Sequence, residues 1–192
     1  MSRPLVPWQV LARRTLLARR WIEVREDHVR LANGHEIEEF HVITSPSWSG
    51  VLAVTESDEV VLVKQYRHGI AAESLELPAG VIEPDESPLE AAKRELREET
   101  GYAAEHWEPI ASFATEPSRH TVRAHFFCAL DAKPVAERAL DASEELEVVK
   151  VPRPEFVELV LRGEIAHGVH VGAILVAERR GLLSRRSVTT PR

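Results

Sequence analysis

The sequence predicts an α+β fold in which helices pack on a mixed β-sheet. Apolar, strand-like runs stand both before and after the helical segments, without the regular strand–helix alternation of a purely parallel sheet. The 192 residues, 44% hydrophobic and 29% charged, suffice for one globular domain with a small appendage. A break at Ser45-Pro46-Ser47 divides the chain into a β-rich N-terminal piece, residues 1–45, and a main domain, residues 46–192.

The N-terminal piece is predicted to be a small antiparallel sheet. Its strands are expected at Gln9–Arg14, Trp21–Leu31 and Glu38–Thr44, and Asn33-Gly34 is a typical hairpin turn between the last two. Arginines interrupt the alternation of apolar and polar residues. We therefore expect this piece to expose one face or to pack against a partner subunit.

The main domain begins with two apolar strands, Val51–Thr55 and Val60–Gln65, joined by a polar turn. Arg67 then carries a cation into a loop, and a short strand, Leu75–Pro78, leads into a second loop at Gly80. Farther along we expect three more strands and two helices. The strands are Ile110–Phe113, Val122–Leu130 and Leu146–Val151, and the helices are Pro154–Arg162 and Val169–Arg180.

The helix that follows Gly80 has clear start and stop signals. Ser87 is a typical N-cap, Pro88 suits the first helical position, Glu90 completes a capping box, and Gly101 ends the helix. An apolar stripe at spacings of three and four should pack on the sheet; it consists of Leu89, Ala92 and Leu96.

Three carboxylates crowd the last two turns of this helix, because Glu95, Glu98 and Glu99 are three and four residues apart. Each like-charged pair costs a few tenths of a kcal/mol in an exposed helix, about 0.2–0.5, and Arg94 can neutralise only part of the cluster. Hard divalent cations take oxygen ligands of this kind. The residues alone leave two interpretations open, a metal site and a solvated acidic helix face.

Composition excludes several other classes of function. A formal net charge of −7 argues against nucleic-acid binding as the main activity. The sequence has no apolar run of about eighteen residues that could span a bilayer, and its N-terminus lacks the apolar centre of a signal peptide. We therefore expect a cytoplasmic protein that does not engage membranes.

Cysteine and histidine give no metal or redox motif. The single cysteine, Cys128, lies in an apolar run, where a buried inert thiol is expected rather than a nucleophile. His167 and His170 are three apart, but two histidines without a cysteine near them do not make the ligand set of a zinc ion, so we reject a zinc site.

The stretch Gly80–Tyr102 resembles the signature of the Nudix hydrolases, G-x5-E-x7-R-E-U-x-E-E-x-G-U, in which U is apolar or aromatic. Every signature position matches: Gly80, Glu86, Arg94, Glu95, Leu96, Glu98, Glu99, Gly101 and Tyr102. With residue frequencies of roughly one in fifteen, seven fixed positions agree by chance on the order of once in 10⁸ windows. The motif therefore favours the metal site over a solvated face.

Segments outside this signature are similar to those of ADP-ribose and other nucleoside diphosphate sugar pyrophosphatases. They are the Gln65-Tyr66-Arg67 segment, the Leu75–Gly80 segment and an acidic loop before a late strand. The resemblance implies an α/β/α sandwich, a homodimer formed partly by the N-terminal piece, and Mg²⁺ as the cofactor with Mn²⁺ as the alternative. It also implies cleavage of ADP-ribose to AMP and ribose 5-phosphate.

Two other functions stay open. One is a Nudix hydrolase acting on nucleoside triphosphates or dinucleoside polyphosphates, and the other is a non-catalytic nucleotide-binding module. The complete set of signature carboxylates disfavours the second.

The resemblance also assigns roles to individual residues. Glu95 and Glu99 would be the main metal ligands, with the Ala79 carbonyl as a further ligand and Glu98 as an auxiliary ligand or general base. Arg94 and Glu86 would hold the helix and the loop in place. Arg67 would reach a substrate phosphate, Glu76 would contact the nucleoside, and Glu144 would be a ligand or base from the acidic loop.

Two residues of the later loops complete the predictions. Arg119 is a candidate substrate contact because it lies in a loop expected beside the metal helix. In the acidic loop Ala142 stands where the family often has an acid, which leaves the general base open. Glu144 is preferred over its neighbour Glu145, although a shift of one residue would reverse that choice.

Overall fold

The computed structural model describes residues 5–140 and 144–184, so Ala142 lies outside the described residues. Compact packing divides the chain into two units. The first comprises residues 1–46 and 114–123, and the second comprises residues 47–113 and 124–192. The loop that carries Arg119 clusters with the N-terminal strands in the first unit.

The first unit is built on a three-stranded antiparallel sheet of β1 (Gln9–Arg19), β2 (Ile22–Arg30) and β3 (Glu36–Thr44). The predicted turn after β2 is present, with Gly34 at a φ of 86°, which glycine adopts without strain. Strand β1 runs five residues farther than expected and is exposed along most of its length. A parallel bridge between Ile43 and His120 attaches the 114–123 loop to β3.

The second unit contains an eight-stranded mixed sheet. Its strands are β4 (Trp48–Thr55), β5 (Glu59–Arg67), β6 (Ala72–Glu76), β7 (Ala79–Val81), β8 (Tyr102–Ala103), β9 (His106–Ala114), β10 (Arg123–Pro134) and β11 (Leu146–Pro152). Strand β10 pairs with β4 in parallel, whereas β5 pairs in antiparallel order with β4 on one side and with β11 on the other. The predicted mixed sheet is therefore confirmed.

Helices cover both faces of this sheet. They are α1 (Pro88–Thr100), α2 (Arg153–Leu161) and α3 (Gly168–Arg179). Successive residues of a strand point to opposite faces, and β4 separates two apolar clusters in this way: Val51 and Ala53 join the cluster that includes Leu96 of α1. Its neighbours Leu52 and Val54 join the cluster that takes in residues of α2 and α3. The arrangement is the predicted α/β/α sandwich.

The structure corrects the prediction around Gly80. The short strand expected at Leu75–Pro78 ends at Glu76, and the predicted loop begins with strand β7, which pairs with the start of β4. In the part of the chain that the structure describes, no helix combines the length and the apolar character needed to cross a membrane.

Candidate active site

Helix α1 is fixed at both ends and along one side. The Ser87 hydroxyl accepts a hydrogen bond from the Glu90 amide (3.3 Å), and the Glu90 carboxylate accepts one from the Ser87 amide (2.9 Å), which confirms the capping box. Gly101 closes the helix at a φ of 77°. The buried Ser49 hydroxyl of β4 donates to the Pro88 carbonyl (2.7 Å). The carboxylates of the helix are thus presented on a rigid support.

Arg94 connects the helix to the preceding loop. Its guanidinium donates to both Glu86 oxygens (2.9 Å each), to Glu95 (2.7 Å), to Glu98 (3.0 Å) and to the Val81 carbonyl (2.9 Å). An arginine has five N–H donors, so these bonds use the whole group. They raise the pKa of Arg94 and lower that of Glu86. Arg94 therefore links the helix to Glu86 and Val81 of the preceding segment.

Glu95 and Glu99 form a buried acidic pair, with 7% and 4% of their surfaces exposed. Burial raises the pKa of Glu99 to about 8, and the neighbouring Glu95 charge adds to this effect even though the Ala79 amide donates to its carboxylate (2.9 Å). Burial also raises the pKa of Glu95 despite the contact with Arg94. Without a cation the pair therefore favours a form in which one carboxyl is protonated, whereas a bound cation would favour the ionised form of both.

The backbone at Gly80 lies directly against one member of this pair. A Cβ atom on Gly80 would overlap the Glu95 carboxylate. Only glycine lets the strand approach so closely. Ala79 and Gly80 together therefore bring main-chain groups of β7 up to the two buried carboxylates.

Glu144 comes from the far end of the sequence to the same region. It lies two residues before Leu146, the first residue of β11, which pairs with Gln65 of β5. Its charge is close enough to contribute to the raised pKa values of both Glu95 and Glu99. Among the described residues of the acidic loop, Glu144 therefore lies near enough to the buried pair to affect its charge.

The carboxylate oxygens of Glu95, Glu99 and Glu144 are chemically suited to a hard divalent cation. In residues 5–140 and 144–184, however, no three acidic, histidine or cysteine side chains are arranged as a ready metal cage. Arg94 explains this, because it draws Glu95 and Glu98 toward its guanidinium while Glu99 turns to the Ala79 amide. The buried carboxylate oxygens of Glu95 and Glu99 lack full charge compensation and lie beside main-chain groups of β7. Such ligands nevertheless suit Mg²⁺ or a similar ion.

A cavity of about 590 Å³ begins at this backbone, because Ala79, Gly80 and Val81 line one side of it. Its size lies within the usual range for small-molecule sites, about 300–1,000 Å³. Arg67 and Glu76 also line the cavity, at the ends of β5 and β6. The cavity thus joins the predicted metal-binding region to both predicted substrate-binding residues of the second unit.

Arg67 and Glu76 contact each other in a fork of two hydrogen bonds. The Arg67 Nε and Nη2 atoms donate to the two Glu76 oxygens at 2.9 and 2.6 Å. Glu76 is 1% exposed, whereas the Arg67 side chain is 44% exposed. Burial alone would raise the Glu76 pKa, but hydrogen bonds from Arg67 and Ser74 outweigh it and lower the pKa to about 2. Glu76 is therefore an ionised anchor for Arg67.

Three further residues of the cavity were missed by sequence reasoning as site residues: Trp48, His167 and His170. They come from the start of β4 and the beginning of α3, about 120 positions apart in a 192-residue chain. The three-residue spacing of the two histidines indicates neither a zinc site nor a cavity in the sequence. Nothing in the local pattern points to a shared cavity wall.

Arg119 belongs to the first unit. Its guanidinium donates to the His41 carbonyl (3.3 Å) and lies 5.1 Å from the centre of the Phe40 ring, both in β3. Its role in substrate binding stays a prediction.

Each of the two parts of the chain matches a known protein family. Residues 46–170 match the NUDIX domain, and residues 8–43 match the nucleoside diphosphate sugar hydrolase N-terminal domain. An ADP-ribose pyrophosphatase of Bacillus subtilis (strain 168) is 32% identical over 158 residues, which cover 82% of this chain and 85% of the relative. A methanol dehydrogenase activator of Bacillus methanolicus is 32% identical over 142 residues, 73% of this chain and 76% of that protein.

A solved structure has the same fold. The crystal structure of an ADP compounds hydrolase superposes with a TM-score of 0.84 at 23% identity, covering 96% of this chain and all of that one. At this identity the likeness supports the fold and nothing finer. Together with the complete signature on α1 and the domain match over residues 46–170, it confirms the family expected from the sequence: the chain belongs to the Nudix family.

Proposed function

We propose that this protein hydrolyses the pyrophosphate bond of a nucleoside diphosphate sugar, with ADP-ribose as substrate and AMP and ribose 5-phosphate as products. The observation that carries the proposal is the placement of the buried Glu95–Glu99 pair beside a cavity lined by Arg67. The match of the N-terminal residues to the nucleoside diphosphate sugar hydrolase N-terminal domain supports this substrate class. So does the ADP-ribose pyrophosphatase named among the relatives.

Mg²⁺ is the proposed cofactor, with Mn²⁺ as the alternative. Glu95, Glu99 and the Ala79 carbonyl would hold it, with Glu98 and Glu144 as auxiliary ligands. When bound, a divalent cation neutralises charge on the pyrophosphate and makes water a stronger acid. Binding would require the Glu95 and Glu98 carboxylates to turn away from Arg94, which keeps its contacts to Glu86 and Val81.

The side chains of the protein perform the remaining steps. Arg67, fixed by Glu76, holds a phosphate oxygen through N–H groups that the ion pair leaves over. A carboxylate, Glu144 or Glu98, accepts the proton of the attacking water. Helix α1 keeps these groups in position, since caps at both ends and the bond to Ser49 fix it against the sheet. Correct placement of the reacting groups is itself a large part of catalysis.

A screen of nucleotides with product identification tests the proposal. We expect ADP-ribose to give AMP and ribose 5-phosphate in the presence of Mg²⁺, and EDTA to abolish turnover because the acidic pair then lacks its cation. Hydrolysis of ATP or a dinucleoside polyphosphate, but not of ADP-ribose, would transfer the assignment to the alternative substrate class. Undiminished turnover by metal-free protein in EDTA would refute the metal mechanism.

The two neighbouring acids before β11 provide a second test. Glu144→Gln is expected to lower turnover at saturating Mg²⁺ by at least about a hundredfold, the usual contribution of a general base. Glu145→Gln is the matched control and should stay near the wild-type rate, because the Glu144 charge contributes to the raised pKa values of the buried pair and the adjacent residue is expected to point the opposite way. If Glu145→Gln loses turnover and Glu144→Gln does not, the general base is Glu145. If both variants keep the wild-type turnover, the general base is Glu98.

The assembly and location of the protein are also proposals. We propose a homodimer formed partly by the N-terminal unit, in keeping with the exposed strand β1. Sedimentation velocity of the wild type and of a variant that lacks residues 1–46 measures the oligomeric state. A cytoplasmic location stays a prediction from the sequence.

A further inference from the structure

Three aromatic rings form one wall of the cavity, and they contact one another. The His167 and His170 rings stack with their centres 4.2 Å apart and their planes 14° from parallel. Trp48 meets both rings at an angle, with centre-to-centre distances of 5.5 Å to His167 and 5.4 Å to His170. All three residues line the cavity. The wall therefore offers a flat ring, that of His167, on a support of other rings.

The support is rigid. His170 is 1% exposed and packs edge-on against Phe126 at 5.4 Å, and Phe126 in turn contacts Phe113 at 6.1 Å. The Leu77 amide donates to His170 Nδ1 at 3.2 Å, which places the proton of the neutral ring on Nε2. Because His170 cannot rotate without losing these contacts, the ring stacked on it is held in place before any ligand arrives.

The wall is uncharged at neutral pH. Burial lowers the pKa of His170 to about 3, with a further decrease from its neighbour, and burial also lowers the pKa of His167. A neutral imidazole is a poor partner for phosphate, and the cavity already contains a fixed cation in Arg67. The wall therefore suits a flat, uncharged part of the ligand, whereas Arg67 suits its phosphate.

We propose that His167 is a specificity-determining residue on which the nucleobase of the substrate stacks. The proposal rests on the function proposed above, because it assigns one end of that substrate to the cavity wall. Every base has a flat π face, so stacking provides affinity for the nucleoside end without selecting a particular base. Preorganised rings also lose little side-chain entropy when a base binds.

Calorimetric titration with the two proposed products tests the assignment without turnover. AMP carries a base and ribose 5-phosphate does not, and both are titrated into EDTA-treated protein. His167→Ala should weaken AMP binding roughly tenfold to hundredfold, the loss expected for one stacked base. It should leave ribose 5-phosphate binding unchanged. His167→Phe, which keeps a flat ring, should restore AMP binding.

Two controls separate stacking from general damage. His106→Ala removes an exposed imidazole at the start of β9 and should bind AMP like the wild type. His167 is the N-cap of α3, but within the described residues its side chain makes no capping hydrogen bond, so the alanine variant should retain the helix. Thermal unfolding measures this directly.

Three outcomes would overturn the proposal: unchanged AMP binding by His167→Ala, an equal loss of ribose 5-phosphate binding, or no rescue by phenylalanine. A wild type that binds no AMP would overturn it as well. The proposed function fails separately, when no nucleoside diphosphate sugar is hydrolysed. If AMP binding still depends on the ring at position 167 in that case, the stacking role stands and only the reaction is wrong.

Discussion

Glu99→Gln is expected to lower turnover at saturating Mg²⁺ by on the order of a thousandfold or more. The amide keeps the shape of the side chain but loses the charge that would hold the cation. A metal ion contributes several kcal/mol to transition-state stabilisation, and each 1.36 kcal/mol is tenfold in rate. Steady-state kinetics with circular dichroism separate a catalytic effect from unfolding.

The same helix supplies the control for this variant. Glu90→Gln also exchanges a carboxylate for an amide, but glutamine still completes a capping box, so both fold and rate should persist. Because the pKa of Glu99 is raised to about 8, its carboxyl is mostly neutral at pH 7 in the absence of a cation, and glutamine resembles that neutral form. The thermal midpoint of the EDTA-treated variant should therefore stay close to that of the wild type. A near-normal rate for Glu99→Gln would show that the ligand is misassigned.

Glu76→Gln should lower the free energy of unfolding at pH 7 by about 2–3 kcal/mol, because it breaks a buried ion pair whose other member is partly solvated. The effect should depend on pH in a defined direction. The folded-state pKa of Glu76 is about 2 and its ordinary value is 4.5. The stabilisation from its charge is therefore complete above about pH 4.5 and is lost as the pH falls toward 2.

Urea titrations at pH 7 and pH 3 measure this dependence. The difference in stability between the wild type and Glu76→Gln should shrink at the lower pH. Glu73→Gln, an exposed position on the same strand, should match the wild type at both pH values. A difference that stays constant with pH would mean that shape rather than charge determines the contribution of Glu76. In activity assays we expect Glu76→Gln to raise the KM, since Arg67 would lose its anchor.

The helix and its carboxylates could be predicted because the information is local. Ser87, Glu90 and Gly101 define the helix ends through hydrogen bonds within a few residues, and the helical repeat alone brings Glu95 and Glu99 together. Strand β7 could not be predicted, because the information that defines it is not local. Three residues carry no periodicity, and they become a strand only by pairing with the start of β4, some thirty positions earlier.

The cavity could not be predicted from local patterns. Arg67 and Glu76 meet because the end of β5 lies beside β6, so the register of two strands decides that contact. The family resemblance implies that Glu76 contacts the nucleoside, which stays a prediction; what the structure adds is the hydrogen bond from Arg67 to its carboxylate. Likewise Arg94 was expected to neutralise part of the cluster, and the structure shows which part, Glu95 and Glu98 but not Glu99.

The alternation along β4 has a practical consequence for engineering this enzyme. Val51 and Ala53 support the layer of the carboxylate helix, whereas Leu52 and Val54 support the layer of α2 and α3, where the cavity wall begins. Mutagenesis of this one short strand should therefore change the two layers almost independently of each other. Substitutions at positions 51 and 53 should change turnover by altering how α1 packs on the sheet. Substitutions at positions 52 and 54 should change ligand preference.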